Sequence, residues 1–211
     1  MSKFLLNRRT LLVAGISSVA LGACSNLIGP PAAAPLYMLR PKVPSAAGRN
    51  VPWQISVMLP EAPQSLDTDR IALVQPGDVM DYYANAAWQD RLPFLVQQAL
   101  IEAFEANSRI TAVGRDTDVL RSDYILQTDI RDFQAEYAVA DTPPTAQVRI
   151  AAKLIAARTR MITQIITATK DVPTTQNSIP AATQAMNEAL GSVLQQIVDW
   201  TLSAPPPPKA L

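Results

Sequence analysis

"DYILQTDIRDFQAEY", residues 123–137, is a long run of alternating polarity in the second half of the chain. Apolar and polar side chains alternate from Tyr124 to Ile130, which is the pattern of a β-strand with one buried face. Phe133 falls on the wrong side of this alternation, so we predict a β-bulge near Asp132. The run therefore predicts a long strand with one local irregularity.

Two further β-rich runs follow this stretch closely. The run "TAQVRIAAKLIAA" (145–157) alternates in polarity, and "MITQIITATK" (161–170) is rich in β-branched residues. Arg158, Thr159 and Arg160 form the short polar link between the two runs. Because short links permit only antiparallel neighbours, the three runs together predict an antiparallel meander.

A basic cluster surrounds the hairpin between the second and third strands and is made of Arg149, Lys153, Arg158 and Arg160. Such a cluster can face anionic lipid head groups or an acidic partner. It can equally be the solvated face of a half-buried sheet, which is the commoner role of such charges. The sequence leaves both interpretations open.

Two amphipathic helices are predicted on either side of the meander in the sequence. Apolar residues of "LPFLVQQALIEAFEAN" (92–107) recur at helical spacing, and Asp90 is available to cap its start. A second stripe runs through "SIPAATQAMNEALGSVLQQIVDWTL" (178–202), which begins at the capping residue Ser178. Gly191 weakens the middle of this helix by about 1 kcal/mol relative to alanine. A close approach of the helix to the sheet would explain this glycine.

The N-terminal half of the chain supplies further strands. Residues 53–59, 70–75 and 108–113 have β-rich patterns, whereas residues 78–88 fit either a short strand or a loop. The complete pattern predicts an α+β fold. We expect a mixed, largely antiparallel sheet with the two amphipathic helices packed on one face.

Three aromatic residues, Tyr82, Tyr83 and Trp88, crowd the segment before the first helix. Aromatic side chains near a loop often anchor an interface with a partner. They can equally fill the core at the end of a sheet. We therefore treat these three residues as a possible partner interface, with a core role as the alternative.

The composition excludes several classes of enzyme. The chain has no histidine and only one cysteine, so a histidine-dependent triad, a histidine metal site and an internal disulfide are impossible. No glycine-rich phosphate loop is present, and nothing in the spacing pairs two carboxylates for acid–base chemistry. Residues 24–211 contain 15 basic and 18 acidic side chains, so they lack the excess of positive charge that is typical of nucleic-acid-binding domains. We predict no catalytic, cofactor-binding or metal site, and a hydrolase using carboxylates is the weakest alternative.

The N-terminus predicts secretion and lipidation. Residues 1–23 combine a basic start with a 13-residue apolar stretch, which is too short to span a bilayer that needs about 20 residues. The four residues Leu21, Gly22, Ala23 and Cys24 resemble the bacterial lipobox, in which an apolar residue and two small residues precede a cysteine. We expect Cys24 to carry a diacylglycerol and an N-acyl chain such as palmitate. The alternative is a plain signal peptide with an incidental cysteine.

These features divide the chain into four parts. Residues 1–23 are the predicted lipoprotein signal peptide, and residues 24–35 are a lipidated, Pro/Ala-rich tether. Residues 36–203 form the α+β domain, and residues 204–211 form a Pro-rich disordered tail. Ser25 follows the cysteine where many inner-membrane lipoproteins carry aspartate, so the outer membrane is favoured for the anchor.

The order of these pieces resembles the ABC-type transport auxiliary lipoprotein family, the group that includes paraquat-inducible protein C. The resemblance covers roughly residues 36–202. Its matching motifs are Tyr37-Met38-Leu39 after the tether, the aromatic segment from Tyr83 to Trp88, and Asp123-Tyr124 at the start of the long strand. Many relatives have a glycine in the turn where this chain has Arg158-Thr159-Arg160.

The resemblance implies a function by association. Members sit on the periplasmic side of the envelope, usually on the outer membrane, and accompany an ABC permease, its ATPase and a substrate-binding protein with a mammalian-cell-entry (MCE) domain. These systems are thought to move lipids or other hydrophobic molecules, and some members form rings, so a homo-oligomer is possible. No catalytic residue transfers from the family. The alternative function is a free-standing envelope lipoprotein that binds a hydrophobic ligand.

Overall fold

The computed structural model describes residues 34–44, 48–118 and 121–207. The predicted signal peptide, Cys24 and most of the predicted tether lie outside these residues. Within the described residues the chain forms eight strands and two helices. In chain order these are β1 (Leu36–Tyr37), β2 (Val51–Val57), β3 (Arg70–Gln75), β4 (Val79–Trp88), α1 (Leu92–Asn107), β5 (Ile110–Arg115), β6 (Tyr124–Glu136), β7 (Thr145–Ala156), β8 (Met161–Pro173) and α2 (Ile179–Leu202).

The strands β6, β7 and β8 form the predicted meander. β6 and β7 are antiparallel along almost their whole length, and β8 pairs in the same way with the other edge of β7. The pairing of β6 with β7 shifts register between Ile130 and Asp132, as the parity of Phe133 predicts. The meander and its bulge are therefore confirmed.

The other edge of β6 carries two separate groups of strands. β2 pairs in parallel with the first part of β6, and β5 continues the sheet in parallel beside β2. β3 pairs in parallel with the last part of β6 and is followed by the antiparallel β4 and the parallel β1. Of the seven strand pairings in the whole sheet, four are parallel and three are antiparallel. The predicted mixed sheet is therefore correct, whereas its description as largely antiparallel is imprecise.

Both helices lie on one face of this sheet, which confirms the predicted α+β architecture. α1 packs against β2 and β5, α2 packs against β6, β7 and β8, and the helices also contact each other. α2 begins at Ser178, whose hydroxyl accepts the Ala181 N–H. The predicted cap of α1 was wrong: Arg91 is the capping residue, and the Asp90 carboxylate accepts the Arg91 N–H at 2.7 Å instead.

A single apolar core lies between the helices and the sheet. The buried apolar side chains of the described residues extend from Leu39 to Ala204 and, apart from Ala151, form one cluster. Trp53 packs edge-to-face on Tyr124, with ring centroids 5.1 Å apart. The Tyr124 hydroxyl donates to the Pro205 carbonyl at 2.9 Å, so the first residues of the predicted tail contact the domain.

Gly191 allows a close approach, although not to the sheet. Residues 38–43, which we call the strap, leave β1 and cross α2. Asn187 of α2 binds the strap twice, since its side chain accepts the Arg40 N–H at 2.5 Å and donates to the Met38 carbonyl at 3.3 Å. A Cβ atom on Gly191 would lie 2.5 Å from the Lys42 carbonyl oxygen. The strap therefore explains the glycine, and the predicted contact with the sheet was wrong.

Candidate functional site

β4 carries the three aromatic residues that the sequence singled out, and the structure places Trp88 in the core. Its side chain is 2% exposed and meets the Phe133 ring edge-to-face, with centroids 6.0 Å apart. A side chain with so little exposure has no surface to offer a partner. The core interpretation therefore replaces the interface interpretation for Trp88.

Tyr83 is half-buried and begins a chain of hydrogen bonds. Its hydroxyl lies 2.9 Å from the Tyr137 hydroxyl, which donates in turn to the Asn177 side-chain carbonyl at 2.9 Å. Burial, followed by the hydrogen bond to Tyr137, raises the pKa of Tyr83 far above its ordinary value. The chain joins β4 to the end of β6 and to the segment that leads into α2.

Tyr82 is also half-buried, and its polar and aromatic groups both have partners within the domain. Its hydroxyl donates to the Ser65 carbonyl at 3.1 Å. The Arg70 guanidinium lies 3.6 Å from the centre of its ring, which is a cation–π contact. Tyr82 and Tyr83 keep only part of their surface free, and their role at a partner interface stays a prediction.

The structure divides the predicted basic cluster. Arg149 faces Asp132 across the β6–β7 ladder and pairs with its carboxylate at 2.5 Å. Lys153, Arg158 and Arg160 are exposed, and none of them joins an ion pair among the described residues. Three cations of the predicted cluster therefore remain without an ion-pair partner among the described residues.

Two of the open cavities on the described surface are large enough to consider as ligand sites. A groove of about 880 Å³ beside the start of α1 is lined by Leu59, Phe94 and Leu95 together with polar side chains such as Gln98 and Arg115. A second cavity, of about 530 Å³, lies between the strap and the first turns of α2. Its lining is formed by Tyr37, Arg40, Lys42, Pro180, Thr183, Gln184, Asn187 and Glu188. Both are mixed in polarity, and the first is also lined by Asp90 and Asp116.

Two features bear on metals and membranes. Among the residues that the structure describes, no three histidine, cysteine, aspartate or glutamate side chains come together as a group that could hold a metal ion. Within the same residues, neither helix combines the length and apolar character needed to cross a bilayer. The expected lack of catalysis stays a prediction.

The sequence profile described as ABC-type transport auxiliary lipoprotein component matches residues 37–198. The chain belongs to this family. The resemblance noted in the sequence is thereby confirmed over most of the α+β domain. The family is described as an auxiliary lipoprotein component of ABC-type transport. The family description names an auxiliary component and no enzyme.

Solved structures of other proteins have the same fold. Protein XCC0632 from Xanthomonas campestris is 30% identical, with a TM-score of 0.74, and the match covers 80% of this chain and 95% of that one. The crystal structure of an uncharacterized protein is 11% identical with a TM-score of 0.63, covering 79% and 97% of the two chains, and shows the fold alone.

One curated relative is longer than this family member. The uncharacterized protein bll6063 of Bradyrhizobium diazoefficiens is 26% identical over 177 residues, which are 83% of this chain. The match covers 47% of that protein, so the chain spans about half the length of this relative.

Proposed function

We propose that this protein is a non-enzymatic docking component of an MCE-associated ABC system that transports lipids or other hydrophobic compounds. The observation that carries the proposal is the family match over residues 37–198. The mammalian-cell-entry protein, the permease and the ATPase are the partners that we propose. Tyr82 and Tyr83 are candidate contacts for them, and a homo-oligomer is the proposed assembly.

The proposed location follows from Cys24. A diacylglycerol and an N-acyl chain, such as palmitate, on this residue would fix the domain to the membrane, since each buried methylene contributes about 0.8 kcal/mol and two or more chains anchor stably. Residues 24–35 then serve as the tether, on the periplasmic side of the envelope. Ser25 after the cysteine favours the outer membrane over the inner one.

The packing of the core supports docking rather than internal storage of a ligand. Phe104, Leu154 and Leu190 are fully buried where the helices meet the sheet, so side chains fill the space that a hydrophobic ligand would need. The two cavities are open and partly polar, unlike the mainly apolar, enclosing pockets of most ligand-binding proteins. The free-standing ligand-binding lipoprotein is therefore the less favoured function.

Capture of the tagged protein from detergent-solubilised envelopes of its own bacterium tests the proposal. We expect the permease, the ATPase and the MCE protein to copurify, as identified by mass spectrometry. Recovery of bound lipid without any of these three proteins would support the alternative function instead.

The same preparation tests the anchor. Cys24→Ala should abolish the lipid mass at the mature N-terminus and leave the precursor uncleaved, because the acyl groups need the thiol. Ser25→Ala is the matched control and should keep both lipidation and cleavage. A wild-type N-terminus without acyl chains would contradict the proposed anchor.

A further inference from the structure

The β7–β8 hairpin exposes large apolar side chains. Met161, Ile162 and Ile165 are 64%, 51% and 63% exposed. Ile162 lies opposite Ile155, which lies opposite Ile125, so a row of three isoleucines crosses β8, β7 and β6 on the face away from the helices. Ile165 lies on the same face as this row, because its partner is Lys153, and together they form an apolar surface at one end of the meander. Met161 lies opposite the buried Ala156 and therefore belongs to the other face.

The same hairpin concentrates positive charge. Residues 150–170 contain four basic and no acidic side chains, whereas the rest of residues 24–211 contains 11 basic and 18 acidic ones. Lys153 lies directly opposite Ile165, so a cation and an exposed isoleucine are neighbours on the sheet. The hairpin is therefore a positive and apolar region on a domain that is otherwise acidic.

The turn of the hairpin places Arg158 and Arg160 beyond the end of the sheet. The Arg160 N–H donates to the Ala156 carbonyl at 2.8 Å, and Arg160 has a φ of 59°. This left-handed conformation favours glycine and is costly for an arginine. The turn thus holds a guanidinium at a position where the backbone alone would favour glycine.

We propose that this hairpin patch, defined as Lys153, Arg158, Arg160, Ile162 and Ile165, docks on an anionic lipid bilayer. Basic side chains beside exposed aliphatic ones are the composition of surfaces that bind in the head-group region of anionic membranes. Near such a surface the acidic remainder of the domain is repelled and the hairpin is attracted, which orients the domain. The proposal does not depend on acylation of Cys24.

A second copy of the chain fits this patch less well than a bilayer does. Symmetric contact between two hairpins would bring Lys153, Arg158 and Arg160 of both copies together. Like charges placed opposite each other are strongly unfavourable at an interface. Anionic lipid head groups would instead neutralise all three cations while the isoleucines contact acyl chains.

Vesicle cosedimentation tests the proposal with residues 24–211 carrying Cys24→Ser, so that no acyl chain contributes. This chain retains all of the apolar core described above, which lies between Leu39 and Ala204. We expect binding to vesicles of phosphatidylcholine with phosphatidylglycerol, weakened by salt, and little binding to phosphatidylcholine alone. Failure to prefer the anionic vesicles would overturn the proposal.

The charge arm of the experiment uses Arg158→Gln combined with Arg160→Gly. The partition coefficient should fall on the order of 30-fold, because each basic residue near the surface contributes about 1 kcal/mol. Arg91→Gln combined with Arg131→Gln changes the net charge equally outside the hairpin, at two exposed surface ion pairs, and should bind much more tightly than the hairpin variant. Equal losses in the two double variants would show a non-specific charge effect and sink the proposal.

The apolar arm uses Ile162→Ser combined with Ile165→Ser, which should weaken vesicle binding several-fold by removing buried methylene groups. Val139→Ser is the control, since Val139 is 61% exposed in the loop between β6 and β7 at the other end of the meander. Circular dichroism confirms that each variant is folded. Hairpin variants that bind vesicles normally, but lower the sedimentation coefficient of the protein alone, would assign the patch to a second copy and refute membrane docking.

Discussion

At the residue scale, the position of Trp88 leads to a stability prediction. Trp88→Ala should lower the free energy of unfolding by about 3–5 kcal/mol, because it removes a large, fully packed side chain and leaves a cavity. Urea titration measures the change. Phe94→Ala is a suitable control, since Phe94 is 41% exposed and should cost far less. A Trp88→Ala protein as stable as the wild type would restore the interface interpretation.

The raised pKa of Tyr83 predicts that the folded protein loses stability at alkaline pH. Its pKa is raised in the folded state, so the unfolded chain releases the tyrosine proton at about pH 10 while the folded chain retains it. The free energy contributed by this group is therefore fully present below about pH 10 and is lost as the pH rises further. Burial and the negative charge of Asp123 also raise the pKa of Tyr124, so that residue adds to the same trend.

The variant Tyr83→Phe isolates this contribution. We expect a protein that is somewhat less stable at neutral pH, because Tyr137 loses a hydrogen-bond partner. Its stability should fall less steeply than that of the wild type above about pH 10. Denaturant titrations across the alkaline range measure both slopes, and parallel profiles for the two proteins would contradict the assignment.

The sequence shows that Tyr82, Tyr83 and Trp88 cluster before the first helix, but it does not show which of them is buried. Asn85 has a φ of 55° in the middle of β4, and the pairing of β3 with β4 shifts register between Arg70 and Ala72. Strict alternation fails across such an irregularity, so the parity of Trp88 relative to Tyr82 cannot be inferred from spacing. The structure was needed to separate the core residue from the two half-buried ones.

At the element scale, contact between the strap and α2 makes glycine better than alanine at position 191, although alanine is normally the better helix former. In an exposed helix, Gly→Ala stabilises by about 1 kcal/mol. Gly191→Ala should instead destabilise the protein, because the new methyl group would meet the Lys42 carbonyl and backbone atoms cannot move aside cheaply. Hydrogen exchange should show reduced protection of the Arg40 amide, which donates to Asn187.

A neighbouring position provides the control for this prediction. Ser192→Ala changes the next residue of α2, which is only partly buried, and should be neutral or slightly stabilising by helix propensity. A Gly191→Ala protein that is more stable than the wild type, with the Arg40 amide still protected, would mean that the strap can shift without cost.

Local patterns predicted the elements much better than their pairing. The bounds of α1 and β3 match the predicted ranges, and the β6–β7–β8 meander follows from short links. The parallel pairing of β3 with β6 joins segments about 60 residues apart, and no local pattern encodes it. The two-residue β1 was missed because its alternation is too short to detect.

The exposed apolar side chains of β8 were also hidden from the sequence. Residues 161–170 have the composition of a buried strand, but Ile162 and Ile165 point to the sheet face away from the helices and stay 51% and 63% exposed. In the described sheet β8 pairs only with β7, so it is an edge strand. The position of a strand at the edge depends on the whole topology, which the sequence alone did not reveal.

At the scale of the whole molecule, physics and resemblance contributed different parts of the functional conclusion. Composition excluded histidine-dependent chemistry, and the apolar core explains how the domain holds its shape. Neither the composition nor the core identifies a transport system, because an auxiliary component needs no reactive side chains that a sequence motif could reveal. That part came from the family match, while the lipobox around Cys24 carries the proposed anchor.

The strap and β1 also determine how the domain bears mechanical tension. A pull on Ala34 acts along β1, whose carbonyls at Pro35 and Tyr37 accept the N–H groups of Ala87 and Gln89. These bonds and the two contacts of Asn187 with the strap are the polar contacts that lie nearest to the point of pull. They therefore resist stretching first and would break before the helices separate from the sheet. We therefore expect β1 and the strap to detach first when the chain is pulled at Ala34, while the sheet and the two helices stay together.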